Sequence, residues 1–302
     1  MSPRDRQARL SAYAAFAVQG LCFASLVTRV PRVQDAHGMS DGTLAVVLLL
    51  VPVIAGVGSV AAGALFARFG SAPVLRWAQP GVCLAVTMIG LTGGRMPLLY
   101  AAVALFGLFV GAVDAAMNAQ AVAVERRYGV SLLTGFYAVW SVAGIAGGLW
   151  VALANRLELG LAAGFAVPAA LGAAVSLLTG PRLLRRGEEG TGPGAAELKA
   201  AARRVPWRPV LVVGAAMGIF YLADAAISNY SAKYLEDELG AAGYAVPLGY
   251  VAYQIAMVAS RAAADLGVRR WGGVRVVRLG GLAGMAGVIG VGAAPGAAAA
   301  IA

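Results

Sequence analysis

Residues 106–127 read FGLFVGAVDAAMNAQAVAVERR. This apolar run of helical length carries a single carboxylate in its interior, Asp114, followed by Asn118 and, near its end, Glu125. On a helix, Gly107, Gly111, Asp114, Asn118 and Glu125 share one face. Two glycines on a face let a second helix come close. An ionisable group in a lipid-spanning helix costs roughly 2.5–3.5 kcal/mol on insertion scales, and a chain that keeps one turns it inward. The stripe therefore predicts the interior of a helix bundle. Asp114 is the expected centre of a transport site; the alternative is an acid that only hydrogen-bonds a neighbouring helix.

Composition points the same way. Of 302 residues, 60% are hydrophobic and only 13% charged, and the mean hydropathy is +0.77. Soluble domains carry roughly 25% charge. The expected fold class is an all-α polytopic membrane bundle. The net charge of +10 sits in short turns between apolar runs, without the aromatic-interleaved basic run of a nucleic-acid patch. Cys22 and Cys83 lie in apolar runs and read as packing residues rather than a disulfide. With His37 as the one histidine, a zinc site has too few ligands, so no metal and no cofactor is expected. No phosphate-binding G-x-x-x-x-G-K-[ST] occurs, and no nucleophile–base constellation suggests an enzyme. The first apolar run is long and lacks a cleavage site, so it reads as a first span rather than a signal peptide.

A span needs about 20 apolar residues. Nine candidates occur, at 11–30, 43–67, 74–93, 97–124, 132–154, 160–180, 209–232, 244–266 and 275–293, and 294–302 reads as a turn and the start of a tenth. With the N-terminus in the cytoplasm, 19 of the 24 Lys and Arg fall on the inner side, which sets the orientation as N-terminus inside. The long polar segment 182–208 has linker composition, and 195–204 could form a surface helix. The expected organisation is a six-helix bundle over 1–181, a cytoplasmic linker over 182–208, and an incomplete bundle over 209–302. A shift of 202 residues lays Arg68-Phe69-Gly70 on Arg270-Trp271-Gly272, Arg76 on Arg278, and Ala61-Ala62 on Ala263-Ala264. Each stretch follows the second span of its half, which reads as a pair of parallel repeats.

A six-helix unit, a basic linker and a second unit resemble the major facilitator superfamily. The turns after the second and eighth spans are similar to its loop signature, G-x-x-x-D-R-x-G-R-R. Here Gly63 leads to Ala67-Arg68-Phe69-Gly70, with Ala67 in place of the acid, while Arg261, Asp265, Arg269, Arg270 and Gly272 keep more of the pattern. V-D-A-A-M-N-A-Q, with Asp114 and Asn118, resembles the acid-x-x-x-Asn element in the fourth helix of the fucose–proton symporter-like branch, where the acid is implicated in proton and sugar handling. Gly135–Gly144, GFYAVWSVAG, resembles a bacterial inner-membrane subgroup of that branch, with Tyr137 where a His is often found. FYLADAAISNYSAKYL, 220–235, looks like its seventh helix, with Asp224 at the position of an acid. Family members run to twelve helices, so the resemblance implies a C-terminally truncated chain. Gly135, Gly144 and Gly148 match part of a drug-exporter motif whose Pro is Leu149 here; they read as close helix packing.

The expected solute and proton site comprises Asp114, Asn118, Asp224, Tyr137, Trp140, Asn229 and Tyr221, with Trp140 as the ring on which a sugar would stack. At 1.5 Å per residue, Asp114 and Asp224 lie on the order of 6 Å to opposite sides of mid-membrane, so each would serve a different step. Arg261, Asp265 and Arg269 share one helix face and, with Arg68, read as a cytoplasmic gate. The expected function is secondary active transport of a small polar, sugar-like solute, coupled to protons, by alternating access. The protein would be a multi-pass monomer in the bacterial inner membrane, with solute, protons and lipid as partners and no nucleic acid. The alternatives are a drug or metabolite exporter on the same scaffold and a truncated membrane fragment that transports nothing.

Overall fold

The computed structural model describes residues 2–190 and 205–301, and for residues 67, 217, 265 and 269 the backbone alone. The surface helix expected at 195–204 and the side chains of Asp265 and Arg269, expected to gate, lie outside what is described. Among the described residues there are helices and no strands. In chain order they are α1 (Pro3–Val27), α2 (Val30–His37), α3 (Asp41–Phe69), α4 (Ser71–Gly90), α5 (Met96–Tyr128), α6 (Leu133–Arg156), α7 (Leu161–Thr179), α8 (Trp207–Lys233), α9 (Val246–Trp271), α10 (Gly273–Gly292) and α11 (Ala297–Ile301). Each of the nine expected spans meets one long helix. Seven of the long helices, or their extensions, are apolar enough along their length to cross a membrane. The other two are α4, which carries Arg76 and Gln79, and α9, which carries Gln254 and Arg261. Gln79 and Gln254 are nevertheless buried against protein.

One element departs from the expected spans. The first helix stops at Thr28 rather than running to residue 30, and the eight-residue α2 follows. Pro31 supplies the reason: its ring disfavours helical geometry at the residue before it and suits the first turn of a new helix. α2 then ends at Gly38, in the left-handed conformation at φ 57°.

Helices α1 and α3–α7 pack as one bundle, chiefly through α3 on α5, α1 on α6, and α4 on α5 and α7. Glycines set the close approaches. A Cβ at Gly107 would lie 2.9 Å from the Val51 carbonyl oxygen, and one at Gly111 would fall on that of Ala55. Gly58 of α3 returns the approach against the Leu108 carbonyl of α5. Gly20 of α1 meets the backbone of Trp140 in the same way. Phe16, Phe106, Phe136 and Phe165 fill the core, each at most 1% exposed. α9 joins this bundle through α6. There a Cβ at Gly144 would sit 3.4 Å from Tyr250 Oη, and one at Gly148 would sit 2.6 Å from Val251 Cγ2. The close-packing reading of these two glycines thus has partners.

The internal repeat has a backbone counterpart. Gly70 joins α3 to α4 at φ 84°, ψ 169°, and Gly272 joins α9 to α10 at φ 81°, ψ 155°. Positive φ at both positions favours glycine. The matching Arg-aromatic-Gly stretches are therefore the same tight turn.

The segment after α7 closes the end of the bundle that carries the N-terminus. Leu183 and Leu184 are buried. The Gln120 amide donates to the Leu184 carbonyl (2.9 Å) and its Oε1 accepts from the Leu184 N–H (3.0 Å). Glu189 Oε1 accepts from the backbone N–H and hydroxyl of Ser71, each at 2.9 Å, at the first turn of α4. Arg4 bonds both carboxylate oxygens of Glu188, at 2.9 and 2.6 Å, and holds that carboxyl down to about 2.

Candidate functional site

The face of α5 that begins with Gly107 and Gly111 divides its work along the helix. The two glycines press on α3. One turn further, Asp114 is half-buried and accepts a hydrogen bond from Gln19 Nε2 of α1 at 3.4 Å. Asn118 Nδ2 donates back to the Asp114 carbonyl (2.8 Å), and Asn118 Oδ1 accepts from Tyr137 Oη of α6 (2.9 Å). Glu125 does not continue inward. Its Oε2 accepts from the N–H groups of Leu132 (2.7 Å) and Leu133 (3.1 Å) and caps the start of α6. A carboxylate there meets the free N–H groups of a helix N-terminus, so its interaction is with α6 rather than with an interior cavity.

Arg261 links this cluster to the second half. From α9 its Nη1 donates to Ser141 Oγ at 2.6 Å and to the Tyr137 carbonyl at 3.3 Å. On its own side, Tyr253 Oη donates to Asp224 Oδ1. A path of polar groups thus runs from Gln19 through Asp114, Asn118 and Tyr137 to Arg261, while Tyr253 and Asp224 pair within the second half. Among the described residues no hydrogen bond joins the two aspartates directly. Arg261 thus reaches across from α9 to α6. Arg68 is apart from it: its guanidinium lies 5.2 Å from the Phe69 ring, and its carbonyl accepts from Arg186 at 2.9 Å.

Other expected site residues divide. Trp140 is half-buried, with its ring tilted 5.9 Å from Phe23. Tyr221 is 60% exposed and packs edge-on to Phe220 at 5.8 Å. Asn229 donates back to the Ala225 carbonyl of its own helix at 2.8 Å, so its amide is spent locally.

Buried polar atoms without hydrogen-bond partners occur in several places, Arg29, Tyr128 and Ser231 among them, and also on both sides of α6. Gln19 Oε1 on α1 and Tyr250 Oη and Gln254 Oε1 on α9 have none. Leaving such an atom unsatisfied costs about 1–3 kcal/mol. Ser141 and Tyr250 were not among the expected site residues. A hydroxyl in an apolar run is a weak signal, because any Ser can bond its own helix backbone and any Tyr can anchor at an interface. A separate cavity of about 770 Å³ lies within the second half, lined in part by Tyr230, Tyr253, Gly284 and Val291. It borders the Asp224 cluster through Tyr253 and is remote in sequence from Asp114.

Comparison with known proteins agrees with this architecture. The chain is 29% identical over 268 residues to the uncharacterized transporter y4wD of Sinorhizobium fredii, covering 89% of this chain and 70% of that protein. It is 30% identical over 278 residues to an uncharacterized MFS-type transporter of Yersinia pestis, covering 90% and 69%. The membrane protein MosC of Rhizobium meliloti is 29% identical over 268 residues, covering 83% and 59%. The crystal structure of the nucleoside transporter NupG (D323A mutant) superposes with a TM-score of 0.60 at 14% identity, over 89% of this chain and 69% of that one; it speaks to the fold alone. The Major Facilitator Superfamily model matches residues 12–302, so this multi-pass helical membrane protein belongs to the major facilitator superfamily of transporters.

Proposed function

We propose that the protein is a secondary active transporter of a small, hydroxyl-bearing, sugar-like solute, coupled to protons and working by alternating access. The observation that carries this reading is the polar cluster held inside the apolar bundle, with Gln19 on the Asp114 carboxyl and Tyr137 on the Asn118 amide. Asp114 and Asn118, with Tyr137 and Trp140, form the first half's share of the site, and Asp224 with Tyr253 the second half's. Tyr221 and Asn229 of α8 join only when the halves rearrange. Arg261 reaches from α9 to α6 as the first member of a cytoplasmic gate, Asp265 and Arg269 continue its helix face, and Arg68 in the last turn of α3 completes it. The six-helix unit over 1–181 and the unit over 209–302 move as bodies about the 182–208 linker, with the N-terminus in the cytoplasm of a bacterial inner membrane.

In this mechanism Asp114 takes up a proton on the side of higher proton activity and releases it after the cavity has changed sides. Gln19 holds the carboxyl in place, while Asn118 braces the helix backbone beside it. In proteoliposomes carrying a pH gradient, Asp114→Asn is expected to abolish gradient-driven accumulation of the solute while solute binding, read by quenching of Trp140 fluorescence, persists. Accumulation at the parent level in that variant ends the proton role.

A further inference from the structure

We propose that Lys233 is a bolt between the two halves at the end of the bundle opposite the N-terminus, and that solute enters from that end only when the bolt parts. The inference depends neither on the solute carried nor on Asp114. Lys233 is the last residue of α8. Its Nζ lies 3.0 Å from Asp41 Oδ1, at the start of α3, and 3.1 Å from Gln34 Oε1 of α2. The receiving groups are held ready for it. Gln34 is buried, and its Nε2 donates to Asp41 Oδ1 at 2.8 Å and to the Met39 carbonyl at 3.0 Å.

The contact is built to open and close. Lys233 also pairs with Asp237, one turn along its own element. When the halves separate, Lys233 keeps Asp237 and Asp41 keeps Gln34, so neither charge is left bare. The Asp41 side chain is 78% exposed and that of Lys233 19%, so water can replace the bond from one side. Ion pairs this open to solvent are individually weak, which a reversible gate requires. The chain beyond the bolt is a single π-helical turn, Tyr234–Glu238. Such turns pair i to i+5 and are frequent at functional sites. A second strand of the closure lies nearby: Asn155 Nδ2 of α6 donates to the Gly243 carbonyl at 2.8 Å. Among the described residues, the hydrogen bonds that join α8 and the loop after it to the first half all lie at this end. The short α2, which Pro31 sets off from α1, thereby acquires a role, since it carries Gln34 to the bolt.

The test is the rate at which a membrane-impermeant maleimide, applied to the side opposite the N-terminus, labels Ala232→Cys in protein lacking Cys22 and Cys83. Ala232 is 1% exposed and adjoins the bolt. Lys233→Gln and Asp41→Asn should each speed labelling about fivefold, the ratio set by losing one weak ion pair. Lys233→Arg and Asp237→Asn should leave the rate unchanged, because the contact between halves survives in both. Labelling at the parent rate in Lys233→Gln and Asp41→Asn alike overturns the proposal. So does Asp237→Asn accelerating as much as Asp41→Asn, which would make the cluster a local helix brace. Should Lys233→Gln fail to insert, Asp41→Asn against Asp237→Asn decides the matter alone.

Discussion

Helices α5 and α10 are both apolar and both carry glycines, yet those glycines live in different surroundings. On α5, Gly107 and Gly111 each face a carbonyl of α3 so closely that a Cβ would collide. On α10, Gly280, Gly281, Gly284, Gly287 and Gly290 have open space where a Cβ would go. The first helix is built into a bundle, and 15 of its residues are buried; the second has none buried. A small residue in an apolar helix permits a close approach, and a partner is needed to make it one. The same contrast holds between the two halves. The first is locked by backbone-to-backbone approaches and by the Gln120–Leu184 clasp, whereas the second meets it at α6 and at the bolt.

Three substitutions probe this contrast, taken from the largest expected effect to the smallest. Gly111→Leu forces α5 away from α3 and should cost about 3 kcal/mol of stability by overpacking, measured by thermal unfolding of the purified protein in detergent. A loss below about 1 kcal/mol would mean that the two helices are free to part. Gln120→Leu leaves the Leu184 N–H and carbonyl without their partner and should cost about 2 kcal/mol in the same assay, together with faster proteolysis between residues 184 and 190. Unchanged proteolysis would show that the clasp is not what holds that segment. Gly284→Ala should raise stability by up to about 1 kcal/mol, the helix-propensity gain at an open position. A loss there would erase the distinction, because it would reveal a close partner for α10.

The nine long helices were legible, seven of them because lipid imposes one requirement, a long apolar helix, that composition displays directly. The repeat was legible through Gly70 and Gly272, because a left-handed turn between two helices restricts the residue that can occupy it. Asp114 and Asn118 were legible for the same energetic reason: polar groups inside an apolar run need an interior partner. Glu125 was not, since a helical wheel shows which face a side chain occupies but not the N-terminus of another helix waiting beyond the end. Gln120 lies on the same helix and gives no signal in the sequence, because its partner, Leu184, is 64 residues away and offers only its backbone.

Sequence alone determined the medium, the helices, the turn shared by the halves and the need of Asp114 for an interior partner, because each follows from the local cost of burying or bending a short segment. The tertiary structure decided which glycines touch a neighbour, where Arg261 reaches, and that Lys233 meets Gln34 and Asp41. Those contacts join residues far apart in the chain, and their energy depends on distances between helices that no local pattern encodes.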